Sequence, residues 1–415
     1  MNWKKILVSS KRIYINQGII SLLKKSPSFL EKELSYMIVK ILCENTSFSR
    51  VSSIERNSHK FWYLKENSHD IHMAEIDEFM ETKLCGESIR RRNFKFEDPF
   101  VTVEDDVMVR GSQPIAFTSE GDVIKDVHCF AHGSQGLVYK RLGEYLSDLP
   151  QEFITTTHNR LDHISDNSSD PKRIDTGAIL NYEYSNYYIW LVQEILKLRG
   201  IKYYENISNN SVDLILPESI PDYVDELLNI LGYPQRNRYY WNREPLNVKN
   251  FVVTSYPEPT KNQLSWLKES VINNIETSEF AENWIYVSRQ KTEKGRKVRN
   301  YSEFSEVLSK YGIDIVYCEE MSVEEQVVLF NSIDGVISPH GAGLTNIIWG
   351  NDLTVIELFN DVIQGPFYII SYILGYDYIP YQGDEIVSIK RKKDRDIFVD
   401  IEKFDSLMNE YFQLK

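Results

Sequence analysis

The sequence predicts an α/β protein with two sheet-bearing parts behind a helical N-terminal segment. Three observations predict it. After residue 284, short apolar runs alternate with helix-period segments, the pattern of βαβ units on a parallel sheet. Near residue 100 the hydrophobic period changes from helical to alternating. Finally, 415 residues, at about 150 per domain, call for two or three domains.

Residues 1–90 read as a helical extension, with long stretches free of Pro and Gly such as 31–44. Residues 91–255 form a looser α/β domain. Strands are predicted over 100–109 and 114–127, the second broken at Glu120-Gly121-Asp122. A helix is predicted over 182–199, because Tyr188, Leu191, Val192, Ile195 and Leu198 recur at helical spacing. Gly200 follows as its left-handed cap. A strand (212–216), a helix (223–231) and a strand (250–254) come next, and Tyr256-Pro257-Glu258-Pro259 reads as a linker. In residues 256–415 the predicted strands are 284–288, 313–318, 335–338 and 354–359. The helices between and after them are 302–310, 323–330, 344–349 and 364–374, a Rossmann-like order.

Composition narrows the function. A hydrophobic share of 42% with 26% charged residues describes a globular chain. The longest apolar run, 367–374, falls far short of the roughly 18 residues of a membrane span. Ile6 to Val8 is too short for the core of a secretory leader. Cys43, Cys85, Cys129 and Cys318 form no C-x-x-C pair and read as buried thiols of a reducing compartment, so a cytoplasmic location is expected. The net charge of −14 argues against nucleic acid as a partner. Residues 1–30 carry +6 and the rest −20, which makes the N-terminus a candidate for peripheral contact with the inner, anionic face of a membrane.

The segment Asp334 to Asn346, D-G-V-I-S-P-H-G-A-G-L-T-N, carries the chemistry. A strand runs into Pro339-His340-Gly341-Ala342-Gly343, and a helix begins near Leu344. Gly341 and Gly343 let the backbone approach a ligand, and a helix start offers free N–H groups to phosphate. His340 and Thr345 add side-chain hydrogen bonds. A lone G-x-G is weak, and a tight structural turn is its plain alternative. The neighbours strengthen it: Arg289 ends the first strand of the same domain, and Arg296, Lys297 and Arg299 follow. Parallel topology brings these loops to one edge, where an arginine fork suits a diphosphate. Glu357 ends a strand on that edge, placed to accept two ribose hydroxyls.

Taken in order, S-R…R-K-V-R-N, E-E-M-S-V-E-E-Q-V-V-L-F, S-P-H-G-A-G-L-T-N and V-I-E-L-F resemble the donor half of glycosyltransferase family 61, over roughly residues 284–400. A looser likeness reaches back to about residue 96 and takes in Asn186-Tyr187-Tyr188-Ile189-Trp190. The resemblance implies a GT-B architecture, two Rossmann-like domains facing across a cleft. It also implies an inverting, metal-independent transfer from a nucleotide sugar, commonly UDP-linked, with no cofactor. The acceptor class is a glycan or lipid-linked glycan. Carried over by position, Arg289, Arg296, Asn300, Gln326, His340, Gly341, Gly343, Thr345, Asn346 and Glu357 match the family's motif residues. Asn186, Tyr188 and Trp190 fall on the acceptor side, and Tyr187, Tyr188 and Trp190 are candidates to stack on sugar, with core packing as the alternative.

Two departures from the resembled pattern touch three positions. Ile189 and Gln193 stand where the family often has His and Glu, and Tyr301 replaces an acid after Asn300. The first departure removes a candidate base from the acceptor side. The cluster His158-Asn159-Arg160-Leu161-Asp162-His163 then offers His158 or Asp162 as the base, with an idle surface loop as the alternative. Asp394-Arg395-Asp396 reads as a solvated loop rather than a metal site, and Asp70 as helix surface. A nucleotide-sugar-binding protein without turnover and a nucleotide-sugar epimerase remain as alternative readings.

Overall fold

The computed structural model describes residues 51–52, 60–64, 70–72, 93–95, 99–111, 114–119, 121–127, 171–180, 186–255, 257–276, 283–360, 362–385 and 394–413. His158, Asp162, Cys43, Cys85 and Cys129 lie outside them. Before residue 90 the described elements are strands: β1 (Val51–Ser52), β2 (Phe61–Tyr63) and β3 (Asp70–His72), the last paired with β4 (Asn93–Lys95). The helical expectation fails at these positions. Phe61-Trp62-Tyr63 is a run of β-favouring aromatics, and it pairs with an edge of β5 (Phe100–Arg110).

The first sheet continues with β6 (Ile115–Phe117), β7 (Val123–Ile124), β8 (Lys172–Ile179), β9 (Asp213–Leu216), β10 (Arg238–Tyr240) and β11 (Leu246–Thr254). Its order is β1-β7-β6-β5-β11-β8-β9-β10, with β2 also on β5. β11 is the spine, antiparallel to β5 and parallel to β8. The flank β11-β8-β9-β10 and the short pair β1-β7 are parallel, while β5, β6 and β7 form an antiparallel meander. The Rossmann-like expectation therefore holds for one flank alone. The connections between β5, β6 and β7 are too short for a parallel crossover, and Gly121, at φ 87°, makes the predicted turn.

The helix after β8 runs further than predicted. Asn186 caps α1 (Tyr187–Ile189), a π-helical stretch Trp190–Ile195 follows, and α2 (Lys197–Ser208) ends at a left-handed Asn209. Gly200 lies inside α2 rather than at its end. A side chain there would put Cβ 2.8 Å from Thr254 Cγ2, so glycine, at about 1 kcal/mol of helix propensity, lets α2 close onto β11. The predicted linker is anchored as well. Ser255 N donates to Phe100 O, and Thr260 caps α4 (Lys261–Ile272), which follows α3 (Asp222–Ile230) in the chain.

The second sheet contains β12 (Trp284–Val287), β13 (Asp314–Val316), β14 (Gly335–Pro339), β15 (Thr354–Phe359) and β16 (Asp377–Gln382). All its strands are parallel, in the order β13-β12-β14-β15-β16. Its helices are α5 (Tyr301–Lys310), α6 (Val323–Ser332), α7 (Pro366–Leu374) and α8 (Ile401–Gln413), with a 3₁₀ segment Ala342–Trp349 after β14. The short pair β17 (Asp384–Glu385) and β18 (Ile397–Phe398) leads into α8. Phe404 and Met408, four apart on α8, are fully buried against the outer face of the sheet; each such burial stabilises by about 1.5–3 kcal/mol. On the inner side one apolar cluster joins Trp190, Leu191 and Leu228 of the first part to Val287, Leu344, Trp349 and Phe367 of the second. The two lobes share a core.

Candidate functional site

In a parallel sheet of this order the chain leaves β12 toward β13 on one side and returns to β14 on the other. The carboxyl ends of β12 and β14 therefore diverge, leaving a crevice where ligands bind. Ser288-Arg289 leaves one lip and His340-Gly341 the other. A cavity of about 1350 Å³ opens there, between the second sheet and the wall formed by α1, the π-helical stretch and α3.

Gly341 is extended, at φ 177°, so no turn requires glycine. A Cβ there would stand 2.1 Å from Nη1 at the flexible end of Arg289, and one at Gly343 3.2 Å from Val287 Cγ1. The sequence assigned these glycines to close approach by a ligand. Both line the cavity, and both also leave room for neighbours, Gly341 for the arginine and Gly343 for β12.

Arg289 is 9% exposed and, among the described residues, donates from Nε to Gly295 O at 3.3 Å. Burial, and then the neighbouring Arg296, lower its guanidinium to about 10. Arg296 lines the same cavity and holds a left-handed backbone at φ 70°, which for a non-glycine residue stores about 1–3 kcal/mol. Their loop is fastened to the C-terminal segment. Asn300 exchanges hydrogen bonds with both backbone groups of Val399, at 2.7 and 3.0 Å. Asp396 is 2% exposed, accepts from Lys297 N and pairs with Arg299 at 2.5 Å. Asn300 is thus a clasp rather than a ligand contact, and Asp396 is buried, contrary to the solvated loop expected.

The remaining donor-side residues divide similarly. Asn346 is wholly buried and uses all four of its hydrogen-bonding positions. Its Oδ1 accepts from Tyr187 OH at 2.8 Å and Trp349 Nε1 at 3.0 Å; its Nδ2 donates to Gln326 Oε1 at 2.7 Å and Gly343 O at 3.1 Å. Gln326 passes the chain on to Met321 O. Asn346 and Gln326 therefore shape the loop and tie it to α1. The Thr345 side chain is fully buried and does not reach the cavity. Nor does Glu357: one oxygen faces His340 Nδ1 at 2.5 Å and the other accepts from Tyr378 OH at 2.5 Å. The ribose role expected of it fails, because alternation along β15 turns its side chain under His340.

On the opposite wall Asn186 and Tyr188 line the cavity, Tyr188 meeting Phe367 edge-on at 5.7 Å across the lobes. Burial raises the Tyr188 phenol to about 12. Trp190 is 1% exposed inside the shared core, so stacking on sugar is closed to it. Ile189 and Gln193, where the chain departs from the resembled pattern, do face the cavity, as do Asp222 and Glu226. Glu226, which the sequence reading missed, accepts from Val323 N at 2.6 Å. With the Ser322–Glu325 capping box, it fills the start of α6 and closes that helix end to phosphate. Cys318 also lines the cavity, but burial raises its thiol to about 12, which keeps it from acting as a thiolate.

Among the described residues no group of three or more His, Cys, Asp or Glu is arranged to hold a metal ion, and no helix is long and apolar enough to cross a membrane. The family model for glycosyltransferase 61 matches residues 142–356, just over half of the chain, a span that includes Arg289, Arg296, the His340 loop and Asn346. No curated protein matches the chain.

Proposed function

The chain belongs to glycosyltransferase family 61, and from that premise we propose an inverting, metal-independent transfer from a nucleotide diphosphate sugar, UDP-linked, to a glycan or lipid-linked glycan hydroxyl. One observation carries the proposal. Arg289 is buried beside a second cation, and its charge is disfavoured by both. Glu319 and Asp394, which also line the cavity, offset part of that penalty, and a bound anion would offset more of it. A diphosphate in the crevice supplies that anion, and the two guanidiniums take the part a divalent cation plays elsewhere.

On this reading the acceptor oxygen attacks the anomeric carbon in line as its bond to the β-phosphate breaks. The proton passes to a base on the first-lobe wall. Among the described residues Asp222 and Glu226 are the carboxylates that line the cavity on that wall, and His158 and Asp162 are proposed for the role as well. The two lobes about one crevice support a GT-B arrangement. We place the reaction in the cytoplasm, with residues 1–30 resting on the inner membrane face.

Labelled UDP-sugars incubated with the protein and candidate glycans, with and without EDTA, test this reading. Transfer that EDTA abolishes and manganese restores would discard the metal-independent mechanism. Ile189 and Gln193 favour a second reading, a protein that binds nucleotide sugar without turnover, since neither can act as a base at the acceptor wall. Binding of UDP with no transfer or hydrolysis of any labelled sugar would select it.

A further inference from the structure

His340 and Glu357 form a buried pair more constrained than a phosphate contact requires. Nδ1 of His340 is 2.5 Å from Oε1 of Glu357, whose Oε2 takes the Tyr378 hydroxyl. Glu357 is fully buried on the interior strand β15, where an isolated carboxylate would be costly. The imidazole stacks on Phe359 at 5.8 Å and lies against Phe367 at 5.4 Å, which fixes its plane. With Nδ1 turned to the carboxylate, Nε2 is the polar atom of the ring left for the cavity.

The protons can be counted. Burial, and then the Glu357 charge, hold the Tyr378 phenol well above its ordinary value, so it remains a donor. One proton lies between Nδ1 and Oε1. If Nε2 has none, the pair is anionic and turns a lone pair toward the ligand; both repel phosphate. If Nε2 is protonated, the pair is neutral and presents an N–H. The polar groups around the ring are Glu357 from β15, Tyr378 from β16 and Arg289 from the end of β12, while Arg296, Glu319 and Asp394 line the same cavity. Among the described residues, Glu357 is the carboxylate in contact with the ring.

We infer that Glu357, itself held by Tyr378, is a positioning residue that makes His340 present a protonated Nε2 to the diphosphate, so that nucleotide binding takes up a proton. The inference rests on the nucleotide-sugar reading above. During transfer the electron pair of the anomeric C–O bond stays on the β-phosphate oxygen. The acceptor's proton goes to the opposite wall, and the Nε2–H bond strengthens as charge gathers on the leaving oxygen.

The test is calorimetric titration of the full chain with UDP, in two buffers of different ionisation heat, from pH 7 to 9. The wild type should take up a proton on binding and lose affinity as the pH rises, by at most about tenfold per pH unit. In Glu357→Gln the amide can accept from Tyr378 and donate to Nδ1, leaving the N–H on Nε2 of a neutral ring. Binding should persist without proton uptake and become flat with pH. Equal proton uptake in both proteins overturns the inference. So does a wild-type affinity flat over this range, with no variant needed. If UDP binds at no pH, the nucleotide reading falls and takes this inference with it.

Discussion

Two arginines of equal burial mark the difference between a charge the fold uses and one it reserves. Arg238, 8% exposed at the start of β10, donates to Asp225 Oδ1 at 2.5 Å, Asn229 Oδ1 at 2.8 Å and Tyr233 O at 2.8 Å. Its planar fork is matched on every side, and it staples α3 to the first sheet. Arg289, 9% exposed at the end of β12, makes among the described residues one long bond to a carbonyl, and the Arg296 charge opposes its own more than Glu319 or Asp394 supports it. Burial therefore does not identify a structural arginine. Satisfaction does, and the unsatisfied arginine stands at the crevice of the parallel sheet.

The comparison can be broken most sharply at Arg289. Arg289→Ala should lower kcat/KM for the sugar donor by about 10²-fold or more, while the thermal midpoint stays level or rises, because an uncompensated buried charge leaves with the side chain. A marked fall in the midpoint would make Arg289 structural like its counterpart. Arg238→Ala should do the reverse. It should cost about 2–3 kcal/mol in denaturant unfolding, with KM and kcat unchanged while the protein is folded. Asn346→Ala falls between them, because its network belongs to the fold and to the site alike. A loss of about 2 kcal/mol in unfolding should accompany weaker donor binding, and loss of binding at full stability would show a direct contact instead. The smallest effect is expected of Arg296→Gly. Relief of the left-handed backbone should raise stability by about 0.5–1 kcal/mol, and calorimetry should show weaker UDP binding.

Much of the second sheet was legible in the sequence, since parallel strands buried on both faces leave short, sharply bounded apolar runs. The predicted 354–359 coincides with β15. Arg289, Arg296 and His340 were legible because strand order alone puts their loops at one edge, and all three line the cavity. What a side chain does at that edge was not. Glu357 and Tyr378 meet through the register of β15 on β16, where Val355 pairs with Tyr378, and nothing local announces it. Asn300 and Asp396 meet the chain across 99 residues. Gly200 looked like a helix end because the nearness of Thr254 has no trace in the neighbouring letters. The first sheet was harder to read for a related reason: its antiparallel flank gathers short strands from distant stretches, each too brief to declare a period.

The core that runs through both lobes makes neither half a portable module. Severing the chain at 257–259 would bare Trp190, Leu191 and Leu228 on one fragment and Leu344, Trp349 and Phe367 on the other. Such patches drive association or precipitation rather than independent folding. Grafting the arginine crevice onto another acceptor scaffold would therefore have to carry residues 186–230 along with it.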